Sequence, residues 1–236
     1  MLFRSLTGEA RERELAQSLL EVRTRVANAT QSASRAIDEI TLIAVTKTYP
    51  ASDVEILSKL GVSDFGENRS SELSEKAQAV TGHWHFQGQI QSNKIKAISS
   101  WAQTVHSLDQ LSYVAKFDRA LAEQDMRRLE VFIQISLDGD PSRAGVSGDQ
   151  LNILGAAVAQ SQHLDLCGLM VVPPVDASPH EAFAHVAQLA QNFRREFPMA
   201  RYLSAGMSAD YEIAIAHGAT HIRVGSQILG PRTAPA

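Results

Sequence analysis

The chain has 236 residues, 44% hydrophobic and 20% charged, enough for one large core and a size that α/β barrels reach as a single unit. A net charge of −4 gives no electrostatic case for nucleic acid or an anionic membrane as partner. The start of the chain, with Arg4 and Glu9 in its first ten residues, lacks the apolar centre of a secretion signal, and no run approaches the ~18 apolar residues of a membrane span, so a cytoplasmic location is expected.

Short apolar runs recur along the chain, separated by helix-like segments. An amphipathic helix over about 9–30 precedes the first strand, 41–46 (TLIAVT). Ser52-Asp53 can cap a helix over 53–60, with Gly61 as its stop. Strand 62–66 (VSDFG) leads into 68–80, rich in Glu, Lys, Ala and Leu, and then into strands 84–87 (WHFQ) and 104–107 (TVHS). A helix over 109–127 opens with Asp109, and strand 131–136 (VFIQIS) follows. Ser147 or Asp149 starts a helix over 149–162, before strand 167–172 (CGLMVV). Ser178-Pro179 opens 179–196, with proline just inside the helix start. Strand 201–204 (RYLS), a helix over 208–217 opened by Ser208 and stopped by Gly218, and strand 221–225 (HIRVG) complete the series. Several strands are nearly continuous apolar runs, as in a parallel sheet covered on both faces. Eight strands alternating with helices fit a (β/α)8 TIM barrel with an additional N-terminal helix, one domain over 1–236. An open doubly wound sheet is the alternative. The strand count and the lack of a Gly-rich nucleotide fingerprint after the first strand favour the barrel. The tail after Gly230 (PRTAPA) reads as loose.

In a barrel, chemistry sits at the carboxyl ends of the strands. Lys47 closes the first strand. A lysine there is either a solvated strand-end charge or, if desolvated, an amine with a lowered pKa, suited to forming a Schiff base with a carbonyl compound. Ser204-Ala205-Gly206-Met207-Ser208 at the seventh strand and Gly225-Ser226 at the eighth combine small residues with hydroxyls, the makings of a phosphate cradle between strands 7 and 8. Arg223 lies within the last strand and needs a partner, either an acidic side chain or a ligand acceptor such as an aromatic ring nitrogen. His83 and His85 share a strand face, but no third ligand has metal-site spacing, so no metal is expected. His217 and His221 read as incidental. Asp138-Gly139-Asp140-Pro141 is turn chemistry. Cys167, the single cysteine, excludes an internal disulfide and reads as a small core residue.

These residues match a family. The chain resembles, from about residue 10 to 232, the YggS/PROSC family of pyridoxal 5′-phosphate (PLP) homeostasis proteins, which share the fold of the N-terminal barrel of alanine racemase. The resemblance is carried by Ala44-Val45-Thr46-Lys47, Phe65-Gly66-Glu67-Asn68, Trp84-His85-Phe86-Gln87-Gly88 with Gln91-Ser92-Asn93-Lys94, Gly168-Leu169-Met170, Leu203 to Ser208, and Arg223-Val224-Gly225. It implies that Lys47 holds PLP as a Schiff base and that Asn68 and Met207 flank the ring. Ser204, Ser208, Gly225 and Ser226 would bind the phosphate, and Arg223 would face the pyridine nitrogen. A permanent cation there disfavours protonation of that nitrogen and weakens the cofactor's electron sink. Ala205, Ser226 and Arg143 depart from the family's usual Met or Leu, Thr and Lys; an arginine cannot act as a spare Schiff-base amine. A racemase of this fold also needs a tyrosine from a second domain. The chain stops about ten residues after its last strand, so an intracellular PLP buffer or carrier is expected, not an enzyme. Its implied partners are PLP and apo PLP-enzymes, and its implied state is a monomer or weak homodimer. The alternatives are a PLP-dependent enzyme with an unidentified substrate and a cofactor-free Schiff-base enzyme of the aldolase type.

Overall fold

A computed structural model describes residues 8–69, 73–124, 128–140 and 144–231. Eight parallel strands close into a barrel in chain order, β1 pairing with β8. They are β1 (Thr41–Val45), β2 (Asp64–Glu67), β3 (His83–Phe86), β4 (Thr104–Leu108), β5 (Leu129–Ile135), β6 (Leu164–Val171), β7 (Tyr202–Met207) and β8 (His221–Val224). The helices that follow them in turn are α2 (Ala51–Lys59), α3 (Leu73–Ala79), α4 (Ile95–Ser99), α5 (Leu111–Ala122), α6 (Gly148–Ala159), α7 (Pro179–Glu196), α8 (Tyr211–Ala216) and α9 (Ser226–Leu229), with α1 (Gly8–Ser32) ahead of β1. The barrel and the extra N-terminal helix are as the sequence predicts.

The outward-facing residues of the strands, among them Ala44, Phe65, Trp84, Val105, Val131, Leu169, Leu203 and Ile222, pack under the helices in one continuous core. A separate small cluster, Phe132, Cys167 and Met170 with Val172 against it, is consistent with Cys167 as a core residue. Helix α1 buries Leu15, Leu19, Val22, Val26 and Thr30, a stripe spaced three or four apart. It is fastened at both ends of that stripe. Arg11 pairs with Asp53 at 2.6 Å and donates to the Leu229 carbonyl, and Arg25 pairs with Glu212 at 2.8 Å and donates to Gln227. The helix therefore seals the seam where β8 meets β1.

Several boundaries differ from the sequence reading. Strand β7 runs on to Met207, because its register with β8 shifts between Ser204 and Met207 and keeps the chain extended past Ser204. The helix expected from Ser208 opens at Asp210, whose carboxylate accepts the Met207 N–H at 2.6 Å. Asp53 does not cap α2, which starts at Ala51 after Pro50; its carboxylate serves Arg11. Helices α4 and α9 are absent from the sequence reading. They are five and four residues long, too short to show a helical period. Arg143, Pro141 and residues 232–236 lie outside the described residues.

Close strand packing makes one glycine essential. A Cβ on Gly168 would lie 1.8 Å from the Tyr202 carbonyl oxygen across the β6–β7 seam. Gly168→Ala should therefore cost at least about 3 kcal/mol, in the class of overpacked core substitutions. Urea unfolding of the purified variant checks this; a loss below about 1 kcal/mol would show that the seam yields.

Candidate functional site

Lys47 follows β1 by two residues and lies, by strand alternation, on the inner face with Ile43 and Val45. It is half-buried. A four-residue turn holds it in place: the Tyr49 N–H donates to the Thr46 carbonyl at 3.1 Å, and Thr48 has a φ of +71°. A β-branched residue in that region is strained. The turn is clamped from both sides. The Tyr49 hydroxyl donates to the Gly230 carbonyl at 2.6 Å. Beneath, Lys76 on α3 donates to the same Thr46 carbonyl at 2.8 Å and to Glu67 at 2.6 Å, and the Thr46 hydroxyl donates to Glu67 at 2.7 Å. Both members of this ion pair are buried.

The register brings the other candidates to the same rim. Ala44 pairs with Val224, Val45 with Gly66, and Arg223 with Met207. Lys47, Asn68, Met207, Ser208, Arg223, Gly225 and Ser226 thus occupy the carboxyl ends of four contiguous strands, β7, β8, β1 and β2. Gly225 lies close enough to β1 that a Cβ would come 3.2 Å from the Val45 carbonyl. Asn68 owes its position to Gly88, where a Cβ would meet the Asn68 carbonyl oxygen at 2.1 Å. Beside Asn68 lies a cavity of about 360 Å³, lined also by Arg69, Gln89, Gln91 and Lys94. At the β7–β8 rim, the Gln227 amide donates to the Ser208 carbonyl at 2.6 Å, and Arg25 donates to Gln227. Helix α1 thereby braces the loops after β7 and β8.

Ser204 departs from its expected place. It is fully buried, and its hydroxyl is taken up by Arg223, whose Nη1 donates to it at 2.7 Å, and by His106 at 2.8 Å. It sits below the rim, where its hydroxyl supports Arg223. Arg223 is itself buried. Its other hydrogen bond goes to the Val171 carbonyl at 2.8 Å, and among the described residues no carboxylate pairs with it. Burial brings its pKa down to about 10, opposed by the charge of Asp210, so it stays cationic at neutral pH.

The sequence reading also missed what lies deeper. His221, taken as incidental, points into the barrel and meets the rings of Phe132 at 5.0 Å, His106 at 6.2 Å and His85 at 6.4 Å. His85 and His106 are hydrogen-bonded to one another at 2.9 Å. Burial lowers the pKa of both, and pushes that of His221 down to about 3 with help from the charge of His85. The signal was available: polar residues at every second position of strands otherwise apolar on both faces mark the inner wall.

The residues present suit a phosphorylated aromatic aldehyde. An inward amine, a deep cation that donates to the Ser204 hydroxyl and the Val171 carbonyl, and backbone and hydroxyl donors at the β7–β8 rim converge on one mouth. Comparison with known proteins agrees. The family model described as the N-terminal domain of alanine racemase matches residues 22–233. A Mycobacterium leprae protein named pyridoxal phosphate homeostasis protein is 43% identical over 241 residues, covering 94% of each chain. An Escherichia coli protein of the same name is 36% identical over 229 residues, covering 93% of this chain and 97% of its own. The solved structure of PipY from Synechococcus elongatus with PLP bound is 30% identical, with a TM-score of 0.80, covering 92% of this chain and 100% of PipY.

Two measurements test the construction. Lys76→Met removes the cation 2.6 Å from a buried carboxylate and should cost about 3–5 kcal/mol in urea unfolding, with much of it regained in Lys76→Met combined with Glu67→Gln. A cost within about 0.5 kcal/mol of zero would show that the pair supports nothing. Second, His85, His106 and His221 have folded pKa values below the unfolded value of about 6.5. They take up protons on unfolding, so stability is fully present above about pH 6.5 and is lost as pH falls towards about 3, the folded value for His221. Tm should decline through that window, less steeply in His221→Phe; a flat profile down to about pH 5 would contradict neutral interior histidines.

Proposed function

The chain belongs to the alanine racemase N-terminal domain family and, within it, to the pyridoxal phosphate homeostasis proteins, and from that membership we propose that it binds PLP covalently through Lys47 and buffers or delivers the cofactor. The observation that carries the reading is the placement of Lys47: an amine on the inner face of the barrel mouth, fixed by a strained and doubly clamped turn. PLP supplies an aldehyde that condenses with a primary amine as a Schiff base and a phosphate that needs several donors. Ser208, Gly225 and Ser226 hold the phosphate at the β7–β8 rim, while Asn68 and Met207 flank the ring. Arg223 faces the ring nitrogen, and Ser204 fixes Arg223. A guanidinium in that position keeps the nitrogen unprotonated, which suits storage better than carbanion chemistry.

A non-catalytic role also fits the tyrosines. Racemisation needs a second acid/base group opposite the lysine. Tyr49 gives its hydroxyl to Gly230 and Tyr113 to Ile90. Tyr211 is buried, and Tyr202 opens β7 at the opposite end of the barrel. The protein acts as a single barrel domain in the cytosol, a monomer or weak homodimer, with apo PLP-enzymes as recipients. No helix of the described residues is long and apolar enough to cross a membrane.

Borohydride reduction of the PLP-loaded protein followed by peptide mass spectrometry should place the adduct on Lys47. An adduct on Lys94, which lines the cavity beside Asn68, would overturn the assignment. Lys47→Ala should lose the absorbance of the bound cofactor and the ability to activate an apo-enzyme by transfer. Sustained amino-acid racemisation by the native protein that disappears in Lys47→Ala would replace the carrier reading with an enzymatic one.

A further inference from the structure

The interior of a (β/α)8 barrel is ordinarily filled with branched apolar side chains. Here a continuous line of polar groups crosses it. Asp64 Oδ1 meets His85 Nε2 at 3.1 Å, and His85 Nδ1 meets His106 Nε2 at 2.9 Å. His106 Nδ1 meets the Ser204 hydroxyl at 2.8 Å, which accepts from Arg223 at 2.7 Å. His85, His106, Ser204 and Arg223 are all buried. Asp64 opens β2 at the opposite end of the barrel from Lys47 and lines a cavity of about 420 Å³ between α1 and the first strands. Its side chain is 23% exposed, so the line joins the far mouth of the barrel to the floor of the binding site.

The two ends dictate where every proton lies. A carboxylate only accepts, so His85 carries its proton on Nε2. A neutral His85 then has a bare Nδ1, which must accept from His106 Nε2. A neutral His106 has a bare Nδ1 in turn, which must accept from the Ser204 hydroxyl. That leaves the serine lone pairs free for Arg223, which only donates. Both ends give the same answer, and each bond polarises the next.

We propose that Asp64, His85 and His106 are positioning residues for Arg223, ordering the Ser204 hydroxyl so that its lone pairs face the guanidinium and fix the cation under the ring of the bound cofactor. The cofactor half of this inference rests on the PLP reading; the proton order does not. Removing the Asp64 acceptor lets both histidines exchange tautomers, lets the serine proton turn towards Arg223, and loosens the guanidinium.

Nitrogen NMR of histidine-labelled protein without PLP tests the order directly. Neutral Nε2–H tautomers are expected at both His85 and His106; an Nδ1–H tautomer or an imidazolium at either near neutral pH overturns the proposal. In Asp64→Leu both rings should show mixed tautomers. PLP should bind roughly threefold to tenfold more weakly, the loss of about one hydrogen bond's net contribution, with a shifted absorbance maximum of the bound cofactor. Asp64→Asn, whose amide oxygen can still accept from His85, should restore all three. An Asp64→Leu protein that melts earlier but keeps ordered tautomers and unaltered PLP absorbance would show a structural role only. Failure of the native protein to take up PLP would sink the functional reading and the cofactor half of this one, while the tautomers of the unloaded protein would still decide the rest.

Discussion

A guanidinium buried without a carboxylate has to be surrounded by neutral acceptors, and that requirement organises this barrel. Among the described residues Arg223 pairs with no carboxylate and finds two neutral acceptors, the Val171 carbonyl on β6 and the Ser204 hydroxyl on β7. A carboxylate beside it would neutralise the charge and remove its influence on a neighbouring ring. Neutral acceptors take two of its N–H groups and leave the charge free to act on whatever lies above. The cost is borne by the interior, which gives up branched apolar packing for histidines held neutral by burial.

The outer architecture serves the same rim. Helix α1 is an addition to the eight repeated units, and its contacts are concentrated on the last ones. Through Arg25 and Gln227 it reaches the carbonyl of Ser208, and through Arg11 it reaches the end of α9. On the other side of Lys47, the buried Lys76–Glu67 pair ties α3 to the peptide that carries the lysine. The mouth is thus braced from two sides, β7–β8 chiefly by α1 and β1–β2 by α3, with Arg11–Asp53 and Tyr49–Gly230 joining them, and Lys47 lies where they meet.

Much of this was legible in the sequence, for physical reasons. Strands buried on both faces read as apolar runs, and α7 announced itself with Ser178-Pro179 at its start. Lys47 stood out because a charge ends a run that is otherwise apolar. What escaped was whatever depends on the third dimension. Ser204 and Ser208 look equivalent in the chain. The register shift beside β8 sends one into the interior and leaves the other at the rim. His85 and His106 lie 21 residues apart, and only the pairing of β3 with β4 makes them neighbours. His221 read as incidental beside the turn at Gly218, although it opens β8, where it alternates with Arg223 on the inner wall.

The turn after Lys47 carries one more implication. Thr48 is held at a positive φ that costs a β-branched residue about 1–3 kcal/mol, and the clamps that hold it, from Tyr49 to Gly230 and from Lys76 to Thr46, come from the protein alone. For the proposed tethering through Lys47, this means that the geometry of the amine is set by the fold and need not be rebuilt at each encounter. A reservoir fills and empties many times over the life of one molecule. Strain that is paid once, at folding, makes each of those cycles start from the same place.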